Sequence, residues 1–332
     1  MDLEHSGSAR QRRAPSRKAL FVSLGIAIAA TAAVGVAVQA SGLAKEEAAA
    51  ARASARGPLL GRYHLDEPDF KDKLPGRLKE VSGVTPISND EVACVQDEKG
   101  NIYIYDFRKK DVTAKVSFGP DGDYEELTNV DGVLFVLRSD GFLFEVSDWR
   151  GSEEPKVTTH RLQLPTSDNE GIGYDPGHAR LLIAPKSAVG EGQADADRRP
   201  IFAFDLKRRE LLGDPVFAYS VQDIETFASQ HGVELPTEQR KVGDPRRAAL
   251  RFLPASVAVH PQTRDIVVLS GVDGVLVSFD RGGRVTGYAR LDEKLLPQPE
   301  GLTFMPNGDM VVTTEGAGKK ARLVRYTFLP AD

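Results

Sequence analysis

The chain has 332 residues, and its formal net charge of −5 is unevenly spread: residues 1–18 contribute +3 and residues 41–57 contribute +1, which leaves −9 on residues 58–332. This length is enough for one large or two medium domains. The acidic part argues against a nucleic acid partner, because a domain without a basic stripe repels phosphate groups. The single cysteine, Cys94, excludes an intrachain disulfide and a cysteine-based zinc site.

The N-terminus has the pattern of a membrane-targeting segment. Residues 1–18 are a basic n-region expected on the cytoplasmic side, and Ala19–Ala40 is an uncharged apolar run. About 20 apolar residues suffice to span a bilayer, so we predict an uncleaved signal anchor, a single-pass transmembrane helix. The sequence VQA before Ser41 also resembles a cleavage site, and the alternative is a secreted or periplasmic protein cut near Ala40. In both cases the remainder of the chain functions outside the cytoplasm.

An alanine-rich segment, residues 41–57, follows and is predicted to be a helical or flexible stalk. Residues 58–332 are assigned to the folded domain. From residue 80 onward apolar residues alternate or run in fours to sixes between turn signals, a pattern typical of short β-strands.

The strands repeat with a period of about 44 residues. Five units share the order strand, tight turn, strand, turn, strand, and their leading positions follow each other in steps of 44, 44, 86 and 44. These leading positions are Ser82, Glu126, Glu170, Ser256 and Glu300. The period fits a four-stranded propeller blade, so we predict an all-β protein, a five-bladed β-propeller.

The two ends of the repeat indicate how the ring closes. The last unit stops after its third strand, ARLVRYTF, and a strand-like piece, Leu59–Asp66, precedes the first unit. We predict that this piece is the outer strand of the last blade, which leaves no open sheet edge. The 86-residue step leaves a six-bladed alternative, but residues 221–250 have the pattern of an amphipathic helix and a polar loop, so we favour an insertion in the third unit.

Innermost strands of a propeller line a central channel, so the leading positions should converge at one mouth. Three carboxylates there, Glu126, Glu170 and Glu300, must either become partly protonated or share a cation. Oxygen ligands with excess negative charge suit Ca²⁺. Glu315 and Asp140, at the ends of second strands, are candidate further ligands, and Ser82 and Ser256 complete the predicted ring.

Five short motifs in order, which contain Ser82, Glu126, Glu170, Ser256 and, in the last motif, Glu300 and Glu315, resemble the SdiA-regulated (YjiK-like) family. These motifs are SGV, YEELT, NEGIGYD, PASVAVHP and PEGLTFMPNGDMVVTTEG. The match covers roughly residues 78–328, and that family is distantly related to NHL-repeat and esterase-like-phytase propellers. The resemblance implies a five-bladed propeller on the outer side of the inner membrane, anchored through residues 19–40, with a bound calcium ion and no established activity. The chain departs from the family in its fourth unit, where LSGVDG lacks an acidic residue after the second strand unless Asp273 takes its place.

Catalytic motifs are absent from the sequence: there is no G-x-S-x-G elbow and no histidine pair at metal-ligand spacing. Lys186 and Arg138 end second strands and are expected at the channel mouth, either as counter-charges to the acidic ring or as phosphate-binding groups. We therefore predict a non-catalytic, calcium-binding propeller that binds a small-molecule ligand or an envelope protein. The alternative is a calcium-dependent hydrolase of phosphate esters or other small esters.

Overall fold

The structure, a computed structural model, describes residues 47–151, 154–186, 189, 197–233, 235, 250–316 and 318–329. The predicted n-region and signal anchor, residues 1–18 and 19–40, lie outside the described residues. Within the described part, no helix is long and apolar enough to cross a membrane. Residues 47–55 are helical, and residues 51–332 form one compact unit.

Five antiparallel sheets follow each other along the chain, each ordered from the innermost strand outward. Blade 1 comprises β2 Val81–Pro86, β3 Glu91–Gln96, β4 Asn101–Asp106 and β5 Asp111–Ser117. Blade 2 comprises β6 Tyr124–Val130, β7 Val133–Arg138, β8 Phe142–Ser147 and β9 Lys156–Arg161. Blade 4 comprises β15 Pro254–Val259, β16 Ile266–Ser270, β17 Val275–Phe279 and β18 Val285–Arg290. The sheet arrangement is the predicted five-bladed propeller.

Blade 3 carries the long insertion. Its strands are β10 Asn169–Asp175, β11 Arg180–Pro185, β12 Arg198–Asp205, β13 Glu210–Leu211 and β14 Phe217–Ser220. Both β13 and β14 pair with β12. The helix Val221–Gln230 follows, and its N-cap Ser220 accepts a hydrogen bond from the Asp223 N–H at 3.2 Å. The predicted helix is therefore present, and the described residues of this region hold no sixth blade.

The ring closes in the predicted manner but with a different segment. Blade 5 comprises β19 Pro299–Phe304, β20 Met310–Thr314, β21 Arg322–Tyr326 and, as its outer strand, β1 Phe70–Lys73. Leu59–Asp66, predicted to be that strand, is instead a short helix, Gly57–Leu60, followed by turns. Its apolar side chains, such as Leu60 and Tyr63, pack into the cluster between blades 4 and 5. The prediction was wrong because burial against neighbouring blades produces the same apolar pattern as a strand.

The core is a ring of five hydrophobic clusters, one between each pair of neighbouring blades. The 3-10 helix Gly76–Leu78 connects the outer strand of blade 5 to the innermost strand of blade 1, and its Leu78 is fully buried in the cluster between these two blades. Because every blade buries both faces against its neighbours, the innermost strands are held in place from all sides. This fixes the side chains that line the channel.

Candidate functional site

Each innermost strand has an irregular pairing at its first residues. The register shifts lie between Val81 and Gly83, Tyr124 and Glu126, Asn169 and Gly171, Pro254 and Ser256, and Pro299 and Leu302. A β-bulge leaves a residue unpaired and re-aims its side chain. The bulged positions that line a common cavity are Ser82, Glu125, Glu170, Ala255 and Glu300. The bulges therefore direct one residue from every blade into one mouth of the channel.

This mouth is a cavity of about 250 Å³ that is strongly acidic. Besides the bulged residues, it is lined by Asp97, Asp123, Asp168, Lys186 and Glu315. Seven carboxyl groups thus face a single ammonium group. We name this set of ten lining residues the acidic cavity.

The closest contacts of the acidic cavity join Glu125, Glu170 and Lys186. The Lys186 Nζ donates a hydrogen bond to Glu170 Oε1 at 2.6 Å, and the Glu125 carboxyl group lies close enough to Glu170 for the Glu170 charge to raise its pKa. Burial raises the pKa of Glu125, and the negative charge of Glu170 raises it further. Burial also raises the pKa of Glu170, but Lys186 opposes that shift. The Lys186 ammonium group therefore favours the ionised form of Glu170, and burial beside that charge favours the protonated form of Glu125.

Three further carboxyl groups of the acidic cavity, those of Glu300, Asp97 and Glu315, have raised pKa values, and burial is the largest cause in each. Burial, followed by the charges of Glu170 and Glu315, raises the pKa of Glu300 to about 8. Burial, followed by the charges of Glu80 and Glu98, raises the pKa of Asp97 to about 6. Because one lysine is too little positive charge for seven carboxyl groups, the cavity retains protons at neutral pH.

Five of the predicted site residues lie in the acidic cavity: Ser82, Glu170, Lys186, Glu300 and Glu315. Arg138 and Asp140 do not line it. They form a bidentate ion pair with each other, with Nε–Oδ1 and Nη2–Oδ2 distances of 2.8 and 3.0 Å. The Arg138 guanidinium also lies over the Phe142 ring at 4.5 Å. Contrary to the prediction, both side chains are committed to the blade surface.

Glu126 and Ser256 lie one layer deeper than predicted. The Glu126 side chain is 1% exposed, and its Oε1 accepts hydrogen bonds from the N–H groups of Val84 at 2.9 Å and Leu127 at 3.2 Å. Its Oε2 accepts a hydrogen bond from the Ser256 hydroxyl, whose oxygen accepts one from the Leu302 N–H at 3.1 Å. The Glu126 carboxyl group and the Ser256 hydroxyl group together thus connect four of the five blades.

Glu126 and Ser256 lie below the acidic cavity because each is the residue that follows the bulged residue of its strand. The residues at this position in the five blades are Gly83, Glu126, Gly171, Ser256 and Gly301. Gly83 provides the space that the Glu126 side chain occupies, and Gly171 allows the backbone of Ser256 and Val257 to approach closely. A Cβ at Gly83 would lie 2.6 Å from Glu126 Oε1, and one at Gly171 would lie 3.0 Å from the backbone N of Val257. The repeated Glu-Gly dipeptides therefore combine a bulged carboxylate with a close approach of neighbouring strands.

We expect the Gly83→Ala substitution to lower the free energy of unfolding by about 1–3 kcal/mol, because backbone atoms of Glu126 and Leu127 would lie within 3 Å of the new Cβ. Gly76→Ala is the matched control, since a Cβ there meets nothing within 4 Å. Denaturant unfolding of both variants measures the difference. Equal midpoints for the two alanine variants would contradict the crowding of this layer.

The prediction missed Glu125, Asp123 and Asp168 as lining residues. A signal for the correct register exists in the sequence. Each unit has an apolar residue two positions after its bulged residue, and aligning the units on these apolar residues gives the correct register. They are Val84, Leu127, Ile172, Val257 and Leu302. In that alignment Glu125 takes the bulged position and Glu126 the glycine position.

The chemistry of the donor set suits a hard cation, because the acidic cavity offers carboxyl oxygens without sulfur or imidazole ligands. Asp97 Oδ1 is buried and has no hydrogen-bond partner. As the side chains are positioned, however, no group of three or more His, Cys, Asp or Glu residues in the described part of the chain is arranged to hold a metal ion. Ion binding at this mouth would require the Glu125–Glu170 pair to rearrange.

Comparisons with known proteins give structural but not sequence matches. No family model matches the chain, and no curated protein matches it, so the resemblance to the SdiA-regulated family rests on the five motifs alone. The crystal structure of Myxococcus xanthus glutaminyl cyclase is similar with a TM-score of 0.51 and 12% identity, covering 80% of this chain and 97% of that chain. A luciferin-regenerating enzyme is similar with a TM-score of 0.47 and 11% identity, covering 79% and 96%. At these identities the similarity to the glutaminyl cyclase concerns the fold, and this chain has the fold of a five-bladed β-propeller.

Proposed function

We propose that this protein is an extracytoplasmic propeller, held at the inner membrane by residues 19–40, that binds a divalent cation in the acidic cavity. The observation that carries the proposal is the convergence of seven carboxyl groups and one ammonium group on a cavity of about 250 Å³. A β-bulge on each of the five innermost strands directs a side chain into this cavity, which distinguishes it from a cluster of acidic residues on a solvated surface.

Calcium is the cation that this donor set fits best. Ca²⁺ accepts six to eight oxygen ligands in flexible geometry, whereas Mg²⁺ demands near-ideal octahedral coordination and retains its water. Glu125, Glu170, Glu300 and Asp97 would hold the ion, and its charge would replace the protons that the raised pKa values indicate. The bound ion would supply a fixed positive charge at the channel mouth for an oxygen-bearing ligand or an envelope protein.

Binding is better supported than hydrolysis of phosphate esters. A phosphate-binding site needs basic groups that are free to contact the anion. Lys186 is already bound to Glu170, and Arg138 is bound to Asp140 outside the cavity lining. The excess of carboxyl groups at this mouth would repel a phosphate ester. We therefore favour a calcium-dependent binding protein over the hydrolase.

Calorimetric titration of Ca²⁺ into the full-length, chelator-treated protein in detergent tests the proposal. We expect saturable binding that is at least about tenfold weaker in Glu170→Ala and in Glu300→Gln, because ligand charge sets affinity in oxygen-only sites. The exposed Glu293→Gln is the matched control and should bind like the wild type. A wild-type protein that takes up no Ca²⁺, or variants with unchanged affinity, would contradict the assignment.

A further inference from the structure

The opposite end of the channel holds a second cavity, of about 180 Å³. Most of its lining residues come after the bulge in each innermost strand, on the side of Glu126 that faces away from the acidic cavity. The first ring of this lining is apolar and consists of Val84, Leu127, Ile172, Val257 and Leu302. We name this space the apolar cavity. Its walls contain none of the carboxyl groups that characterise the other mouth.

Six polar side chains stand among the lining residues of the apolar cavity, those of Thr85, Thr128, Asn129, Tyr174, Thr303 and Arg264. Thr128 and Thr303 are 7% and 9% exposed, line the cavity, and have hydroxyl groups that form no hydrogen bond with the described residues. Thr85 is partly engaged, since its Oγ1 accepts a hydrogen bond from the Asn129 N–H at 3.0 Å. Ligand cavities typically combine apolar walls with a small number of convergent polar groups, and this arrangement has that composition.

A single charged side chain, that of Arg264, stands among the lining residues of the apolar cavity. Arg264 is exposed and forms no ion pair with the described residues. Its backbone is fixed by a hydrogen bond from its N–H to the His260 carbonyl oxygen at 3.0 Å. An unpaired guanidinium group beside an apolar chamber complements a carboxylate, because its planar donors match carboxylate geometry.

The volume limits the size of the occupant. An apolar cavity of about 150 Å³ in another protein binds benzene, so the 180 Å³ here accommodate a body of about that size. We propose that the apolar cavity binds a small monocarboxylic acid, with its apolar body enclosed by the innermost strands and its carboxylate on Arg264. This site is independent of the acidic cavity, and its test does not depend on calcium.

Benzoate is the probe that matches both the size and the charge. We expect calorimetry or ligand-observed NMR on the full-length protein to give saturable binding with a Kd of about 1 mM or below, a value within the range for so small a ligand. Benzamide, which has a similar shape without the charge, should bind at least about tenfold more weakly, because hydrogen bonds to an ionised group are the stronger ones. Glu170→Ala should leave benzoate binding unchanged.

Two variants locate the probe. Arg264→Gln should weaken benzoate binding by about tenfold or more while leaving benzamide binding unchanged, and Arg290→Gln, at an exposed arginine outside this lining, is the matched control. Ala258→Leu, which adds bulk to a lining residue, should abolish binding of both probes; if that variant does not fold, Arg264→Gln decides. Absence of benzoate binding to the wild type, or equal affinity in Arg264→Gln and Arg290→Gln, would overturn the proposal.

Discussion

Replacing Glu126 by alanine is expected to lower the free energy of unfolding by about 3–5 kcal/mol. The substitution removes the acceptor for the N–H groups of Val84 and Leu127 and leaves the Ser256 hydroxyl without its carboxyl partner. These donors are buried on the channel axis, where water does not replace a lost partner without cost. The change also opens a cavity at the junction of four blades.

Glu126→Gln separates hydrogen bonding from charge. Complete burial raises the pKa of Glu126 well above its usual range, although the hydrogen bonds it accepts oppose that shift. A protonated Glu126 is nearly isosteric with glutamine, whose oxygen accepts from Val84 and Leu127 and whose amide donates to Ser256. We therefore expect Glu126→Gln to cost at most about 1 kcal/mol.

Chemical denaturation at pH 6 measures both variants, and the exposed Glu293→Ala provides the surface control, expected within about 0.5 kcal/mol of the wild type. If Glu126→Ala unfolds at the control's midpoint, Glu126 does not hold the blades together. If Glu126→Gln is as unstable as Glu126→Ala, the carboxyl group is ionised in the native state.

Stability without calcium is expected to fall as the pH rises from 6 to 9. Glu300 has a pKa of about 8 in the folded protein against a usual value of 4.5, so the folded chain binds more protons than the unfolded chain between these values. A raised carboxyl pKa contributes stability that is complete below pH 4.5 and is lost as the pH passes through 8. For Glu300 the loss amounts to about 2–5 kcal/mol, since one pKa unit corresponds to about 1.4 kcal/mol.

Thermal and denaturant unfolding of the chelator-treated protein across this pH range measures the loss. Glu300→Gln should have a shallower slope than the wild type, and Glu293→Gln should keep the wild-type slope. Saturating Ca²⁺ should flatten the wild-type profile, because the ion binds the folded state and replaces the protons. A wild-type profile that is already flat without calcium would show that the carboxyl groups are not crowded as described.

The fold was predictable because the 44-residue period is set by backbone geometry that every blade shares. The closing strand was not, because Phe70–Lys73 has the sequence FKDK, without an apolar stretch. Edge strands are commonly charged, and this one is specified by its hydrogen bonds to Arg322–Tyr326. Leu59 and Leu60 match the apolar pattern of a β-strand, but they are apolar because they are buried between blades 4 and 5.

The sequence was sufficient to predict an acidic channel mouth, but not which glutamate of blade 2 lines it. Glu170 and Glu300 are each followed by glycine, which identifies them as bulged residues, whereas blade 2 presents two adjacent glutamates, Glu125 and Glu126. A shift of one residue at a bulge moves a side chain between the channel mouth and its axis. Only the three-dimensional arrangement shows that Glu126 fills the space left by Gly83 of the neighbouring blade.

The most direct test of the central claim is to count the protons released when calcium binds. Calorimetric titrations at pH 7 in two buffers of different ionisation enthalpy measure this number. Because Glu125 and Glu300 have raised pKa values, we expect about one or more protons to leave for each Ca²⁺ bound. Binding without proton release, or no binding in either buffer, would contradict a cation site built from these carboxyl groups.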